Sequence, residues 1–310
     1  MSLAFVFPGQ GSQSVGMMTG FESLPAVRRT FEEAGSALDS DLWSLVSNGP
    51  DEELNKTVNT QPAMLTAGVA LFRAWRELGG AEPALMAGHS LGEYSALVAA
   101  GVLELTDAVP LVRFRAQAMQ EAVPEGRGAI AAILGLEDDA VRAVCLEAAD
   151  AGVAEAANFN SPGQVVIAGE AGAVRRAIEL AKARGAKRAV LLPMSVPSHC
   201  SLMRPAAERL SEKLALMSLR APKIRVINNA DVAAEEAPDR IRSALTRQLY
   251  SPVRWVESVT ALAGAGVEEV VECGPGGVLA TLCRRIAPDL KVTALKDATT
   301  LEELAIKSSQ

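Results

Sequence analysis

The segment Leu85-Met86-Ala87-Gly88-His89-Ser90-Leu91-Gly92-Glu93 constrains this chain more than any other. An apolar run from Ala84 to Gly88 reads as a buried strand, and helix-forming residues extend from Leu91 to Ala100. Between them stands Gly88-x-Ser90-x-Gly92, the pattern of a nucleophile elbow. There a sharp strand-to-helix turn strains a serine while small neighbours leave it room. The helix N-terminus beneath Ser90 would aim unpaired amides and a partial positive charge at an oxyanion. The plainer alternative is a glycine-rich turn whose serine caps the helix.

An elbow of this kind belongs to a parallel sheet, and the rest of the chain agrees. Leu3 to Phe7 is a short apolar run ending at Pro8-Gly9, a buried strand followed by a tight loop. Ile224-Ile227, Glu269-Val271 and Lys291-Leu295 read as later strands separated by helical segments. Alternating strands and helices imply a mostly parallel sheet covered on both faces. The middle of the chain has another rhythm: strand Ala129-Leu134, helix Glu137-Ala149, strands Val153-Asn158 and Val165-Ala168 about the turn Ser161-Pro162-Gly163, helix Ala173-Arg184 and strand Lys187-Leu192. That order, β-α-β-β-α-β, is the ferredoxin-like split motif. The expected fold is therefore an α/β-hydrolase-like catalytic domain, residues 1–126 and 197–310, with an inserted ferredoxin-like subdomain at 127–196.

A chain of 310 residues, 49% hydrophobic and 22% charged, can bury a core of that size. Aromatics are only 4%, so Ala, Val, Leu and Ile must fill it. A net charge of −7 argues against a general nucleic-acid surface, though Arg284-Arg285 and Lys187-Arg188 leave room for local basic patches. The N-terminus lacks the basic region of a secretory signal, and the apolar stretch Tyr94 to Leu103 is too short to span a membrane. Cys145, Cys200, Cys273 and Cys283 are widely spaced and suit free thiols in a reducing, cytoplasmic compartment. No cluster has metal-ligand spacing.

A serine nucleophile needs a base, usually histidine, and the chain has two. His89 precedes Ser90 in the elbow, where its side chain should diverge from the serine's. Elimination leaves His199, in Val196-Pro197-Ser198-His199-Cys200, a loop stiffened by Pro193 and Pro197. No acidic residue stands near His199, and in α/β-hydrolases the histidine comes late, after its acid. Chemistry alone therefore leaves the imidazole's orienting partner unidentified. From Asp107 to Val123 the spacing is helical. With Leu111 at zero, Val112, Met119, Ala108 and Ala122 fall within about 100°, and Arg115 sits among them at about 40°. Arg113, at about 200°, should face solvent. An inward guanidinium requires an anion, either a protein carboxylate or a substrate's, and the wheel does not choose.

Several segments together resemble the malonyl-CoA:acyl carrier protein transacylase family of fatty acid synthesis. They are Phe7-Pro8-Gly9-Gln10-Gly11-Ser12-Gln13, the elbow Gly88 to Glu93, Asn158-Phe159-Asn160-Ser161-Pro162-Gly163-Gln164, Val196-Pro197-Ser198-His199 and Gln248-Leu249-Tyr250-Ser251-Pro252-Val253-Arg254-Trp255. The resemblance implies that Ser90 is acylated with His199 as base, and that Arg115 holds the malonyl carboxylate. It implies backbone amides of Gln10 and Leu91 as oxyanion hole, with Gly9 and Gly11 allowing close approach. Gln248 would orient His199 through its main-chain carbonyl, and Gln61 and Asn160 would line the pocket. The site would lie in the cleft between the domains, because Arg115 and His199 flank the insertion. Where the family often has glycine after the arginine, Ala116 stands here, a methyl group that would tighten the pocket. The implied substrates are malonyl-CoA and a phosphopantetheinylated acyl carrier protein, with no bound cofactor and a monomeric chain. A serine hydrolase or thioesterase, a sibling acyltransferase with another acyl group or carrier, and a non-catalytic binding module are the alternatives.

Overall fold

A computed structural model describes residues 2–193 and 196–309, so two residues of the proline-flanked loop before His199 lie outside the described residues. Nine strands are described: β1 Leu3–Phe7, β2 Leu85–Gly88, β3 Gly128–Leu134, β4 Ala154–Ser161, β5 Gln164–Glu170, β6 Arg188–Leu191, β7 Arg225–Ile227, β8 Glu269–Glu272 and β9 Lys291–Ala294. Every strand read from the sequence forms, with ends moved by at most three residues. Five strands build one sheet in the order β7-β2-β1-β8-β9, and every pairing in it is parallel.

Strand β1 shows why that sheet is sandwiched. All five of its residues are buried, as a strand covered on both faces requires. Leu3, Phe5 and Phe7 enter a core shared with the helices Pro25–Leu38, Thr57–Glu77 and Leu105–Ala122. Ala4 and Val6 point the other way, into a core shared with Trp255, Val259, Leu279 and Leu282 of the helices Trp255–Gly264 and Val278–Ile286. The two-residue strand period thus feeds two helical layers.

One helix between β1 and β2 is not announced by periodicity. Thr57–Glu77 is buried without interruption from Thr60 to Phe72, so it lacks an apolar stripe, and Pro62 inside it reads as a helix breaker. Only the tertiary core explains it. The other four strands form an antiparallel sheet in the order β4-β5-β3-β6. The helices Asp138–Glu147 and Ala171–Ala183 cover it around a core of its own, including Ile133, Val144, Val165, Ile167 and Ala177. This is the expected split β-α-β-β-α-β arrangement. β4 is tied to the rest of the chain by Phe159 N–H donating to Val253 O (2.9 Å) and Val253 N–H donating to Ala157 O (2.8 Å).

The glycines of the elbow are explained by backbone crowding. A Cβ at Gly92 would stand 1.9 Å from the Phe7 carbonyl oxygen, and one at Gly88 would stand 1.9 Å from the Gly92 carbonyl carbon. Gly92→Ala must therefore push the elbow helix off β1, at a cost of about 3 kcal/mol, the upper end for overpacking. Gly264→Ala, with no atom within 4 Å of the added methyl and a helical position, should be neutral or gain up to about 1 kcal/mol. Urea unfolding midpoints of the two variants check the contrast.

Candidate active site

Three neighbouring strands of the parallel sheet, β7, β2 and β1, deliver the site from their carboxyl ends, where open α/β sheets place ligands. After β2 the chain turns through Ser90, whose φ of 53° is left-handed and strained for a residue with a side chain. Ser90 Oγ lies 2.7 Å from His199 Nε2. His199 also has positive φ, 63°, and its Nδ1 lies 2.8 Å from the main-chain oxygen of Gln248. A carbonyl only accepts, so Nδ1 carries the proton and Nε2 offers its lone pair to the serine hydroxyl. Burial, and then the nearby charge of Arg115, lower the His199 pKa to about 3 and keep the ring neutral. The group that meets Nδ1, left open by sequence chemistry, is the carbonyl of Gln248.

Arg115 is 1% exposed. Its Nη1 donates to Gln61 Oε1 (2.8 Å), and its Nη2 donates to Gln248 Oε1 (3.1 Å) and Ser90 Oγ (3.3 Å). Its guanidinium carbon lies 5.4 Å from the centre of the Tyr94 ring. Nε has no partner, and among the described residues no carboxylate forms an ion pair with this arginine. Of the two anions the helical wheel left open, a protein carboxylate is not at ion-pair distance among the described residues. Arg113 faces solvent only in part: it is half-buried and donates to Leu38 O at 3.4 Å, because the helix Pro25–Leu38 packs beside it. Ala116 is wholly buried among core side chains.

Neither the Gln10 nor the Leu91 amide is engaged by another group among the described residues. Gly9 lets their loops meet, since a Cβ there would lie 2.4 Å from His89 O and 3.6 Å from Leu91 N. Gly11 has a different reason from the expected one. Its φ is 101° and a Cβ would meet nothing within 4 Å, so the turn demands glycine and the space does not. The Gln10 side chain accepts from Thr57 Oγ1 (3.0 Å), and Thr57 Oγ1 in turn accepts from Gln61 Nε2 (3.0 Å), linking the loop to the arginine's holder. Asn160 meets His89 instead of the nucleophile, its Oδ1 lying 2.8 Å from His89 Nε2. His89 indeed points away from Ser90, against the ring of Trp255. A cavity of about 370 Å³ borders the site, lined by Gln10, Lys56, Thr57, Met119, Pro193 and Ser198.

Two residues escape sequence reasoning. Asn229, just beyond β7, accepts from Ser90 N–H through Oδ1 (2.7 Å) and donates to Gly88 O through Nδ2 (2.6 Å), bracketing the elbow. Glu93 Oε2 accepts from Asn229 N–H (2.8 Å) and from Gln248 Nε2 (2.9 Å). Burial pushes the Glu93 carboxyl up to about 7. The available signals are the position of Asn229 just after a strand end and of Glu93 inside the elbow motif, and neither identifies a partner.

The acyl transferase domain family matches residues 4–301. The chain is 57% identical over 299 residues to the malonyl CoA-acyl carrier protein transacylase of Escherichia coli, covering 96% of this chain and 97% of that one. Among solved structures, the acyl-carrier-protein S-malonyltransferase of Burkholderia pseudomallei superposes with a TM-score of 0.97 at 56% identity, covering 99% and 100% of the two chains. A malonyl-transacylase solved in complex with a type II PKS acyl-carrier protein matches with a TM-score of 0.97 at 51% identity, again covering 99% and 100%. With its serine–histidine pair and carboxylate-free buried arginine built on the same fold, the chain belongs to the acyl transferase domain family, among the malonyl CoA-acyl carrier protein transacylases.

Proposed function

We propose that this protein moves a malonyl group from coenzyme A to the phosphopantetheine thiol of an acyl carrier protein, through an ester on Ser90. The observation that carries the reading is Arg115: a fully buried guanidinium, 3.3 Å from the nucleophile, held only by neutral groups. A buried charge with no direct ion pair is costly, Glu93 acts on it only from behind Gln248, and a carboxylate arriving with the substrate would be its direct partner. The names of the relatives and the carrier-protein complex of one of them support the same substrate and acceptor.

In the loading half, His199 Nε2 takes the Ser90 hydroxyl proton as Oγ attacks the thioester carbonyl. The oxyanion faces the amides of Gln10 and Leu91, at the N-terminus of the helix Gly92–Ala99. The carbon–sulfur bond breaks, and the coenzyme A thiolate takes the proton back from His199. In the second half the carrier thiol gives its proton to His199 and attacks the ester, and Ser90 Oγ leaves with that proton. No carboxylate is needed behind the imidazole, because the Gln248 carbonyl fixes its tautomer. Acetyl leaves the guanidinium unmet, so the pocket discriminates by a charge and not by size. Residues 127–196 are read as a subdomain inserted into a catalytic unit of residues 1–126 and 197–310, and the separate apolar core of the antiparallel sheet supports that division. Four free, buried cysteines support a reducing, cytoplasmic setting, and among the described residues no helix is long and apolar enough to cross a membrane.

Intact-protein mass spectrometry after brief mixing with malonyl-CoA should show one malonyl adduct on Ser90 that a carrier thiol discharges faster than water does. Ser90→Ala should form none, and an adduct that water clears as fast as the thiol would make the protein a hydrolase. Arg115→Ala should cut kcat/KM for malonyl-CoA about 100-fold or more, the scale for losing a buried charge-pair partner, while acetyl-CoA loading changes by less than about tenfold. Equal losses for both would refute the selectivity role. The pH profile of kcat/KM follows from the His199 shift. The base must be neutral, and its pKa is lowered to about 3, so its protonation lies far below the ordinary histidine range. No loss with an apparent pKa near 6.5 is expected between pH 5 and 8, whereas a solvent-exposed histidine base would lose most of its activity across that window.

A further inference from the structure

The Gln248 side chain meets three partners with fixed and opposite demands. Arg115 Nη2, 3.1 Å from Gln248 Oε1, can only donate. The Ser90 main-chain oxygen and Glu93 Oε2, 3.1 and 2.9 Å from Gln248 Nε2, accept. An amide turned end for end would set donor against donor at Arg115 and oxygen against oxygen at the other two contacts. Of the two acceptors, the Ser90 oxygen also takes the Glu93 amide at 3.1 Å within the turn. Glu93 Oε2, at 2.9 Å the nearer of the two, is the side-chain acceptor that holds the Gln248 nitrogen away from the arginine. The same oxygen accepts from Asn229 N–H, and the Asn229 side chain brackets Ser90.

Glu93 is 2% exposed, and among the described residues it has no cationic partner at salt-bridge distance. It stands in the first turn of the helix Gly92–Ala99, where an acid commonly serves the helix N-terminus. Here that service is not what its hydrogen bonds show. Both go to Asn229 and Gln248, distant in sequence, and none to the helix amides. A buried carboxyl is costly, and it is offset by these two contacts and by the attraction of the Arg115 charge beyond Gln248.

We propose that Glu93 is the positioning residue for acyl selectivity: its Oε2 holds the Gln248 amide with oxygen toward Arg115 and so keeps the guanidinium aimed at a substrate carboxylate beside Ser90. The inference rests on the malonyl-transfer reading above. It requires an acceptor oxygen and not a charge. A glutamine at 93 places an amide oxygen where Oε2 stands, and that oxygen can accept from both partners. A leucine there removes the acceptor at similar volume.

The test is acyl loading of wild type, Glu93→Leu, Glu93→Gln and Arg115→Ala with malonyl-CoA and acetyl-CoA, resolving kcat from KM, with folding checked by circular dichroism. Glu93→Leu should lower the malonyl-to-acetyl ratio of kcat/KM about 30-fold, mainly through a higher KM for malonyl-CoA, and Glu93→Gln should recover most of it. If Glu93→Leu does not fold, Glu93→Ala, which leaves space for water, replaces it. Equal losses for both acyl groups would make Glu93 merely structural and overturn the proposal, as would a Glu93→Gln as impaired as Glu93→Leu. Arg115→Ala separates the two levels. If it keeps the malonyl preference, the underlying reading fails. If it loses the preference while a folded Glu93→Leu keeps it, only the role of Glu93 falls.

Discussion

The carbonyl oxygen of Phe7 at the end of β1 is the contact on which the rest of the site is built. It accepts from His89 N–H at 2.9 Å, and it lies where any side chain at Gly92 would have to go. One atom therefore holds the strand-to-helix turn against the end of the neighbouring strand. The consequence is local strain at Ser90, which has left-handed backbone geometry, and a helix N-terminus pressed close to the loop carrying Gln10. Asn229 closes the arrangement from the other side by pairing with Ser90 N–H and Gly88 O. The strain at the nucleophile is over-determined by these backbone contacts, which is how a sparsely populated conformation persists.

The electrostatics follow from burial. His199, Arg115 and Glu93 are all within 2% of full burial, so each pays desolvation and each is held in the form that its partners allow. The imidazole is kept neutral and is oriented by a carbonyl, which fixes its tautomer without adding a negative charge beside the arginine. Amide side chains, an aromatic face and the serine hydroxyl surround the guanidinium in place of a carboxylate. A built-in carboxylate would pair with the guanidinium directly and remove its demand for one from outside. In the proposed reading, acyl selectivity and the cost of a buried charge without an ion pair are one feature.

Much of this was legible from residue types. The elbow was readable because glycines on both sides of a serine, between an apolar run and a helix, leave few other meanings. His199 was readable because there were only two histidines, and Arg115 because a charge interrupted an apolar arc. The ferredoxin-like unit was readable because its short elements alternate regularly with turns. The helix Thr57–Glu77 was not, since burial on all sides removes the periodicity that marks a surface helix. Arg113 was only partly legible for a related reason: a wheel shows which way a side chain points but not which neighbouring helix covers it.

By itself, the sequence determined the candidate reacting groups, the alternation of elements and the positions where only glycine fits, because those depend on chemistry and on backbone sterics a few residues apart. The tertiary structure decided everything that depends on who meets whom. It paired Arg115 with amides and not with an acid, made the Gln248 carbonyl the histidine's partner, turned Asn160 toward His89, and joined Asn229 and Gln248 to the elbow across more than 130 residues of chain. Such pairings have no local signature, since a hydrogen bond between distant residues is set by the packing of the strands and helices that carry them.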